Sequence, residues 1–494
     1  MKLLDRLPAP LGRAGYVVIG LGIQAVTAYV TLILSGRILG AALFGGLAAL
    51  YTLVTSVATG LFQPLEQEVA RRRGREWETR IIDGTLLRRA ARFGLVLCVL
   101  VIAVAIGAHG AAVRLLGGHL QLLAAFCVAM PGYALCFVAR GALSGSRRLA
   151  RYGLQLSVEG TFRLVGLGVL VLVGSRGVAG YGWLFGIAPW VALVVSVAGL
   201  RPAPTSHAPD SRAPDSRAPD SRALESVALE SVAPESPTAP VTAPGAVVQT
   251  PERDPAARSL AGALTLLLVS TLTAQLLIGA GPVIAQYFAG TADKARTGAF
   301  LAALVVVRLP VFMFTAVQPS MLPRMAEHVA AGRAAAFRSL LLKVLAAMGL
   351  FAAVTTVGTT VLGPWALKLL FGSDYVLSWG EFLLMGVSVG LFMASSVLGQ
   401  ALLAVGKHSR VAAGWLVGLA GLALGTAFAH DAVLRATLGL LIGAAASAAT
   451  FAALLAYALW RWRPAHQGQQ GAGDEPAGTS GDRLPGTADA AVPA

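Results

Sequence analysis

Long apolar segments recur along the whole chain and alternate with short polar segments. Each has about twenty residues, the length that an α-helix needs to cross the roughly 30 Å hydrocarbon core of a bilayer. The pattern therefore predicts an all-α integral membrane protein with about twelve transmembrane helices. The predicted spans are residues 15–34, 41–62, 94–113, 120–141, 153–174, 178–200, 260–287, 297–319, 344–362, 381–405, 411–429 and 436–460.

A polar segment divides these spans into two sets of six. Residues 201–257 are rich in Pro, Ser and Ala and contain tandem repeats such as SRAPD and SVALE. This composition cannot bury a core, so we predict a disordered cytoplasmic linker between an N-terminal six-helix bundle (1–200) and a C-terminal one (258–462). A second hypothesis is that the linker docks a partner. Residues 463–494 are predicted to be a disordered tail.

The two sets of spans have matching features. Span 2 ends at Gln63-Pro64 and span 8 ends at Gln318-Pro319, and each pair precedes a basic segment. The same offset places span 1 on span 7. Because each set has six spans, both halves enter the membrane from the same side. We therefore predict two parallel halves with a central cleft.

The distribution of charge along the chain predicts how the spans are oriented in the membrane. The chain is 56% hydrophobic and 13% charged, which excludes an ordinary soluble domain, and its net charge is +15. Most Lys and Arg lie on the side of the N-terminus. The positive-inside rule then predicts that both termini are cytoplasmic, and the positive charge is explained without a nucleic-acid partner. The seven on the other side are Arg37, Arg114, Arg176, Lys294, Arg296, Lys368 and Arg435. Five Lys against 34 Arg suggest a bacterial genome, so we predict a multi-pass protein of the bacterial cytoplasmic (inner) membrane.

Three charged residues lie well inside predicted spans, whereas Arg140 lies at the basic edge of span 4. A charge at the bilayer centre costs roughly 3 kcal/mol, so it should face a partner or a cavity. Glu159 and Arg163 are four residues apart on one helix face, and they form either an internal ion pair or part of a cavity. Arg308 has no carboxylate on its own span. Its planar fork suits phosphate oxygens, and the alternative is a pairing with Glu159 across the halves.

Uncharged polar residues and helix breakers suggest where a cavity would lie. Gln24 in span 1 and Gln275 in span 7 are candidate cavity residues, with helix–helix packing as the alternative. Pro310 is predicted to kink span 8 just after Arg308, and the segment 279–282 (GAGP) is predicted to break span 7.

Signals of enzymatic chemistry are weak. The seven His residues are scattered, and Cys98, Cys127 and Cys136 lie in spans, so neither metal ligation nor a disulfide is predicted. The sequence has no nucleotide-binding motif and no long loop with paired carboxylates. We therefore predict a protein that is not an enzyme, with no catalytic residues, no cofactor and no metal.

Three motifs carry a family resemblance. They are RILGAALFG at residues 37–45, QPLEQEVAR at 63–71 and LFGSDY at 370–375. Within twelve spans they resemble the polysaccharide-transport branch (O-antigen and teichoic-acid exporters, lipid-linked oligosaccharide flippases) of the multidrug/oligosaccharidyl-lipid/polysaccharide exporter superfamily. The resemblance implies a flippase that moves a lipid-linked oligosaccharide to the outer leaflet by alternating access. Arg308 and Arg163 would then contact its anionic headgroup.

Other functions remain open at this point. A cation-coupled multidrug antiporter of the same fold would need a buried carboxylate in the N-terminal half, for which Glu159 is the candidate. A membrane-embedded glycan-processing enzyme would need an acidic site, and a scaffold would use its linker. The partners expected for the flippase are a lipid-linked glycan, membrane lipids and polysaccharide-synthesis enzymes.

Overall fold

The computed structural model describes residues 9–79, 84–200, 255–290, 293–311 and 321–460. Thirteen helices make up most of this part of the chain, and none of these residues forms a strand. The helices are α1 (Ala9–Thr79), α2 (Leu86–Gly107), α3 (His109–Leu115), α4 (Leu120–Gly145), α5 (Leu149–Leu172), α6 (Val178–Leu200), α7 (Pro255–Phe288), α8 (Lys294–Val307), α9 (Met321–Ala330), α10 (Ala334–Phe371), α11 (Trp379–Ala404), α12 (His408–Ala427) and α13 (Ala432–Trp460).

The predicted spans map onto these helices in order, which confirms the all-α membrane fold class. Ten described helices are long and apolar enough to cross a membrane. The count is ten rather than twelve because α1 contains the first two spans, and because α8 is described over only 14 residues. The predicted linker (201–257) lies outside the described residues except for its last three, which begin α7, and the tail (463–494) lies outside them entirely.

Spans 1 and 2 are joined without a loop. Helix α1 is interrupted only at Gly40, whose φ of 72° and ψ of 165° are not helical. A positive φ is accessible to glycine at little cost, so one residue redirects the chain where the sequence suggested a longer turn.

Two predicted interruptions of the helices have different outcomes. Helix α8 ends at Val307 beside Arg308, which agrees with the predicted kink, because Pro310 cannot donate to the carbonyl of residue 306. The predicted break at 279–282 is wrong, since α7 continues through Pro282 to Phe288. A Cβ at Gly279 would collide with Ser56, and one at Gly281 would lie 2.6 Å from Leu440. These glycines therefore permit close helix packing.

The two halves meet along α1. We call residues 9–200 the N-terminal half and residues 255–460 the C-terminal half. The second part of α1 packs on α7, where Gly45 contacts Gln286 and Gly60 contacts Leu272, while Ala41 packs against Gly298 of α8. Span 2 thus packs against span 7, and its first residue also contacts span 8.

The bundle has two ends that differ in charge. We call the end with the Arg- and Lys-bearing turns, predicted to be cytoplasmic, the basic face, and the other end the opposite face. The basic face carries the turns at residues 146–148, 331–333 and 405–407. The opposite face carries Gly40 and the segments 116–119, 173–177 and 372–378.

Candidate functional site

The N-terminal half buries an ion cluster near the middle of α5. The Glu159 carboxylate accepts hydrogen bonds from Arg163 one turn along α5, from Arg140 of α4 (2.7 Å) and from the Tyr133 hydroxyl (2.7 Å). Arg163 also donates to the Tyr133 hydroxyl oxygen at 2.5 Å. Glu159 is only 1% exposed. Glu159 and Arg163 are therefore a real ion pair, but one that shares its carboxylate with a second arginine. We call Glu159, Arg140, Arg163 and Tyr133 the Glu159 cluster.

Helix geometry and aromatic rings hold this cluster in place. Tyr133 and Arg140 are seven residues apart, which places both on one side of α4. The guanidinium of Arg140 lies 4.9 Å from the Phe137 ring centre, and that of Arg163 lies 5.2 Å from the Phe185 ring centre. Cation–π contacts of this kind favour a desolvated cation. The side chains are consequently fixed before any ligand arrives.

The Glu159 cluster has a net positive charge. One carboxylate faces two guanidiniums, and the Nε atoms of Arg140 and Arg163 are buried without a hydrogen-bond partner among the described residues. Buried N–H donors without partners are uncommon in folded proteins. The cluster therefore retains a capacity to interact with a further acceptor.

Arg308 donates a hydrogen bond to a backbone carbonyl in the C-terminal half. Its Nη2 donates to the carbonyl oxygen of Ile278 in α7. In an unbroken helix that carbonyl would accept from the N–H of residue 282, but residue 282 is a proline and has none. Arg308 thus caps the acceptor that Pro282 leaves open. The alternative partner considered for Arg308 was Glu159, which instead forms ion pairs with Arg140 and Arg163.

Tyrosines of α1 lie between the two charged centres. Tyr51 interacts electrostatically with Arg163 and with Arg308, and Tyr29 interacts with Arg308. Both tyrosines are eleven residues from the kink at Gly40, or about 16 Å along the helix, which places them near the membrane midplane. The described cavity beside Arg308 has a volume of about 20 Å³, enough for one water molecule.

The two glutamines do not join the charged groups. Gln24 lies where α1 packs against Gly160 of α5, and Gln275 lies at the boundary between the halves, beside Gly60 of α1. Both are partly buried. Their positions fit the helix-packing interpretation, and a role for either in a cavity stays a prediction.

Sequence reasoning missed Arg140 and Tyr133. Arg140 was assigned to the basic edge of span 4, although the structure buries it against Glu159. The available signal was the spacing, since Arg140 and Tyr133 share a helix face in an otherwise apolar span. Glu66, in the motif at residues 63–71, was not predicted as a site residue either, and it accepts a hydrogen bond from Tyr152 of α5 at 2.9 Å.

Comparison with solved structures identifies the fold. An inward-facing multidrug resistance MATE family transporter of the MOP superfamily matches with a TM-score of 0.63 and 11% identity, covering 90% of this chain and 98% of that one. An outward-facing MATE structure matches with a TM-score of 0.57 and 12% identity over 90% and 94% of the chains. A eukaryotic MATE transporter gives 0.58 and 14% over 91% and 98%.

Neither a known protein family nor a curated protein matches the sequence itself. At 11 to 14% identity, the similarity to these solved structures establishes the fold but does not identify the cargo. On this basis the chain has the fold of the MATE family transporters of the MOP superfamily.

Proposed function

We propose that this protein is a membrane transporter that flips a lipid-linked oligosaccharide, or a related polysaccharide precursor, across the bacterial cytoplasmic membrane by alternating access. The fold shared with inward- and outward-facing transporters supports the alternating-access part of this proposal. The cargo is proposed from the charges near the midplane.

The observation that carries the proposal is an excess of arginine in the membrane. Arg140, Arg163 and Arg308 lie in the interior, and Glu159 is the carboxylate that contacts two of them. The third, Arg308, bonds to a neutral carbonyl. Charged groups in a membrane interior are costly and mark substrate pathways. An unneutralised guanidinium there suits an anionic headgroup such as a diphosphate, whose oxygens accept paired hydrogen bonds.

The state of Glu159 argues against the antiporter alternative. A carboxylate that couples transport to a cation must exchange its partner during the cycle. Glu159 instead accepts hydrogen bonds from Arg140, Arg163 and Tyr133 in a fully buried setting. Removing one member of a buried ion cluster costs several kcal/mol. We therefore assign Glu159 the task of holding the arginines.

A leaflet-exchange measurement tests the proposal. The purified protein is reconstituted in liposomes with a fluorescent polyprenyl-diphosphate oligosaccharide, and a membrane-impermeant quencher reports the fraction in the outer leaflet. The control cargo carries the same glycan and lipid on a neutral linkage. We expect fast exchange of the diphosphate cargo and little exchange of the neutral one.

The same vesicles distinguish the antiporter. They are loaded with a cationic dye and given a proton or sodium gradient. Gradient-driven dye efflux without exchange of the diphosphate lipid would replace the flippase with a multidrug antiporter.

A further inference from the structure

Two of the sequence motifs meet on the opposite face, although they lie more than 300 residues apart. Residues 37–45 surround the kink in α1, and residues 370–375 include the last two residues of α10 and the four that follow it. The first motif belongs to the N-terminal half and the second to the C-terminal half. Their meeting therefore joins the halves at the end of the bundle away from the basic face.

Hydrogen bonds tie both sides of this junction. The Tyr375 hydroxyl donates to the carbonyl oxygen of Gly36 at 2.7 Å, and Arg37 donates through Nη2 to the carbonyl oxygen of Leu369 at 3.1 Å. Each bond runs from a side chain of one half to the backbone of the other. Both hydrogen bonds therefore form only when the two helix ends are close together, and both break when the ends separate.

A buried aromatic cluster fills the space between these bonds. The ring centres of Phe44 and Phe371 are 5.5 Å apart, those of Phe371 and Tyr375 are 5.3 Å apart, and those of Phe44 and Tyr375 are 6.3 Å apart. All three side chains are at most 2% exposed. Gly36 makes room for them, because a Cβ there would lie 2.6 Å from the Phe371 ring.

Glycines with a positive φ flank the cluster on each side. Gly40 has a φ of 72°, and Gly372, which ends α10, has a φ of 118°. Glycine adopts such angles at little cost and can change them when a segment moves. The aromatic groups are thus carried on two short segments, each next to a flexible backbone position.

We propose that Gly36, Arg37, Phe44, Phe371 and Tyr375 form a latch that holds the two halves together at the opposite face while the cleft is accessible from the basic face. The latch opens when the cargo is released on the other side. This inference rests on the proposed transporter cycle but not on the nature of the cargo. The two motifs then have a common task, which is to control access.

The charge state of Tyr375 is suited to this task. Burial, and less strongly the carboxylate of Asp374, raise the pKa of its hydroxyl above the ordinary value. The phenol therefore stays protonated and remains a donor to Gly36 throughout the physiological range. The contribution of this hydrogen bond to closure is therefore constant over that pH range.

Spin-label distances test the latch without any cargo. Labels are placed at Arg176→Cys and Lys368→Cys, two exposed sites on the opposite face in different halves, in a background without Cys98, Cys127 and Cys136. We expect a short distance in the unmodified latch. Tyr375→Phe removes one buried hydrogen bond and should raise the ratio of long to short distances about five-fold.

A matched control uses the same substitution nearby. Tyr287→Phe alters a tyrosine of the same half that is 42% exposed and lies outside the latch, and it should leave the distances unchanged. Phe371→Ala should open the face further than Tyr375→Phe. If both latch variants are folded and show the unmodified distances, or if the unmodified protein is already open, the latch is wrong.

A disulfide across the latch supplies the opposite perturbation. Gly36→Cys combined with Phe371→Cys should stop leaflet exchange when oxidised and restore it when reduced. Full exchange by the oxidised pair contradicts the latch. If the unmodified protein moves no diphosphate lipid, the proposed cargo fails, while the spin-label distances still decide whether the latch exists.

Discussion

The two halves handle buried charge in different ways. The N-terminal half places Glu159 between Arg140 and Arg163, so a fixed carboxylate offsets part of the arginine charge. The C-terminal half places the partly buried Arg308 against the carbonyl of Ile278, which neutralises none of its charge. Its own ion triad joins Arg296 to Glu381 and Asp431. This triad lies at the opposite face, where the Arg296 side chain is 49% exposed.

This difference separates a structural role from a binding role. A cation whose charge is balanced by fixed neighbours contributes mainly to the fold. A cation bound to a neutral acceptor keeps most of its electrostatic attraction for an anion. We predict that Arg308 leaves Ile278 for a stronger anionic acceptor during transport. The comparison therefore directs the search for the cargo site to the C-terminal half and its boundary with α1.

The largest effect should come from breaking the Glu159 cluster. Glu159→Gln removes the carboxylate that forms ion pairs with both buried guanidiniums and leaves Arg140 only the more distant Glu66 as a counter-charge, so it should destabilise the protein by about 3–5 kcal/mol. Thermal unfolding in detergent, followed by intrinsic fluorescence, measures the loss. The control is Glu327→Gln, because Glu327 is 73% exposed and 3.7 Å from Arg333. Equal stability of the two variants would show that the cluster contributes nothing to the fold.

A smaller effect is expected at the C-terminal centre. Arg308→Ala leaves the Ile278 carbonyl without a donor and should cost about 1–3 kcal/mol. Pro282→Ala restores a backbone N–H for the same carbonyl, so Arg308→Ala should cost less in that background. Unfolding temperatures of the wild type, both single variants and the double variant complete the cycle. Strictly additive losses would contradict the capping role.

Acidification should weaken closure between the halves. Burial, and then the nearby Lys294 ammonium of the other half, lower the pKa of His119 below its ordinary value. The closed face therefore favours neutral His119. The closed face is therefore most stable above the ordinary histidine pKa of about 6.5, and its stability decreases as the pH falls below that value.

The Arg176 and Lys368 spin-label pair measures this dependence. We expect a larger open population at pH 5 than at pH 8. His119→Gln should remove the difference between the two values. A pH response that survives His119→Gln would assign the effect to another group.

The smallest effect should come from the exposed triad. Arg296 bonds to Glu381 at 2.9 Å and to Asp431 at 2.7 Å, but water competes for all three groups. Arg296→Gln should cost less than about 1 kcal/mol. The same unfolding measurement applies, and a loss as large as that of Glu159→Gln would remove the distinction between buried and exposed triads.

The sequence was sufficient to predict the spans and the pairing of Glu159 with Arg163. Both depend on local information, which is a run of apolar residues in one case and a four-residue spacing in the other. The addition of Arg140 and Tyr133 depends on how α4 packs against α5. The seven-residue spacing places both on one face of α4, but it does not show that this face meets Glu159.

Arg308 shows a second limit of sequence reasoning. A ligand or Glu159 was the expected partner, and the structure provides a backbone carbonyl freed by Pro282. The predicted break at 279–282 was wrong for a related reason. Close packing of Gly279 and Gly281 against neighbouring helices keeps α7 continuous, and this tertiary contribution outweighs the local preference of Gly and Pro.

The central claim, that Arg308 contacts an anionic headgroup, is tested most directly by leaflet exchange in the Pro282→Ala background. Pro282→Ala alone should exchange the diphosphate lipid, because Ile278 regains a backbone donor. The double variant Pro282→Ala/Arg308→Ala should be folded and should not exchange it, because the anion contact is gone while the cap is no longer needed. Exchange at the rate of Pro282→Ala by the folded double variant would show that Arg308 is a cap for α7 and not part of the cargo site.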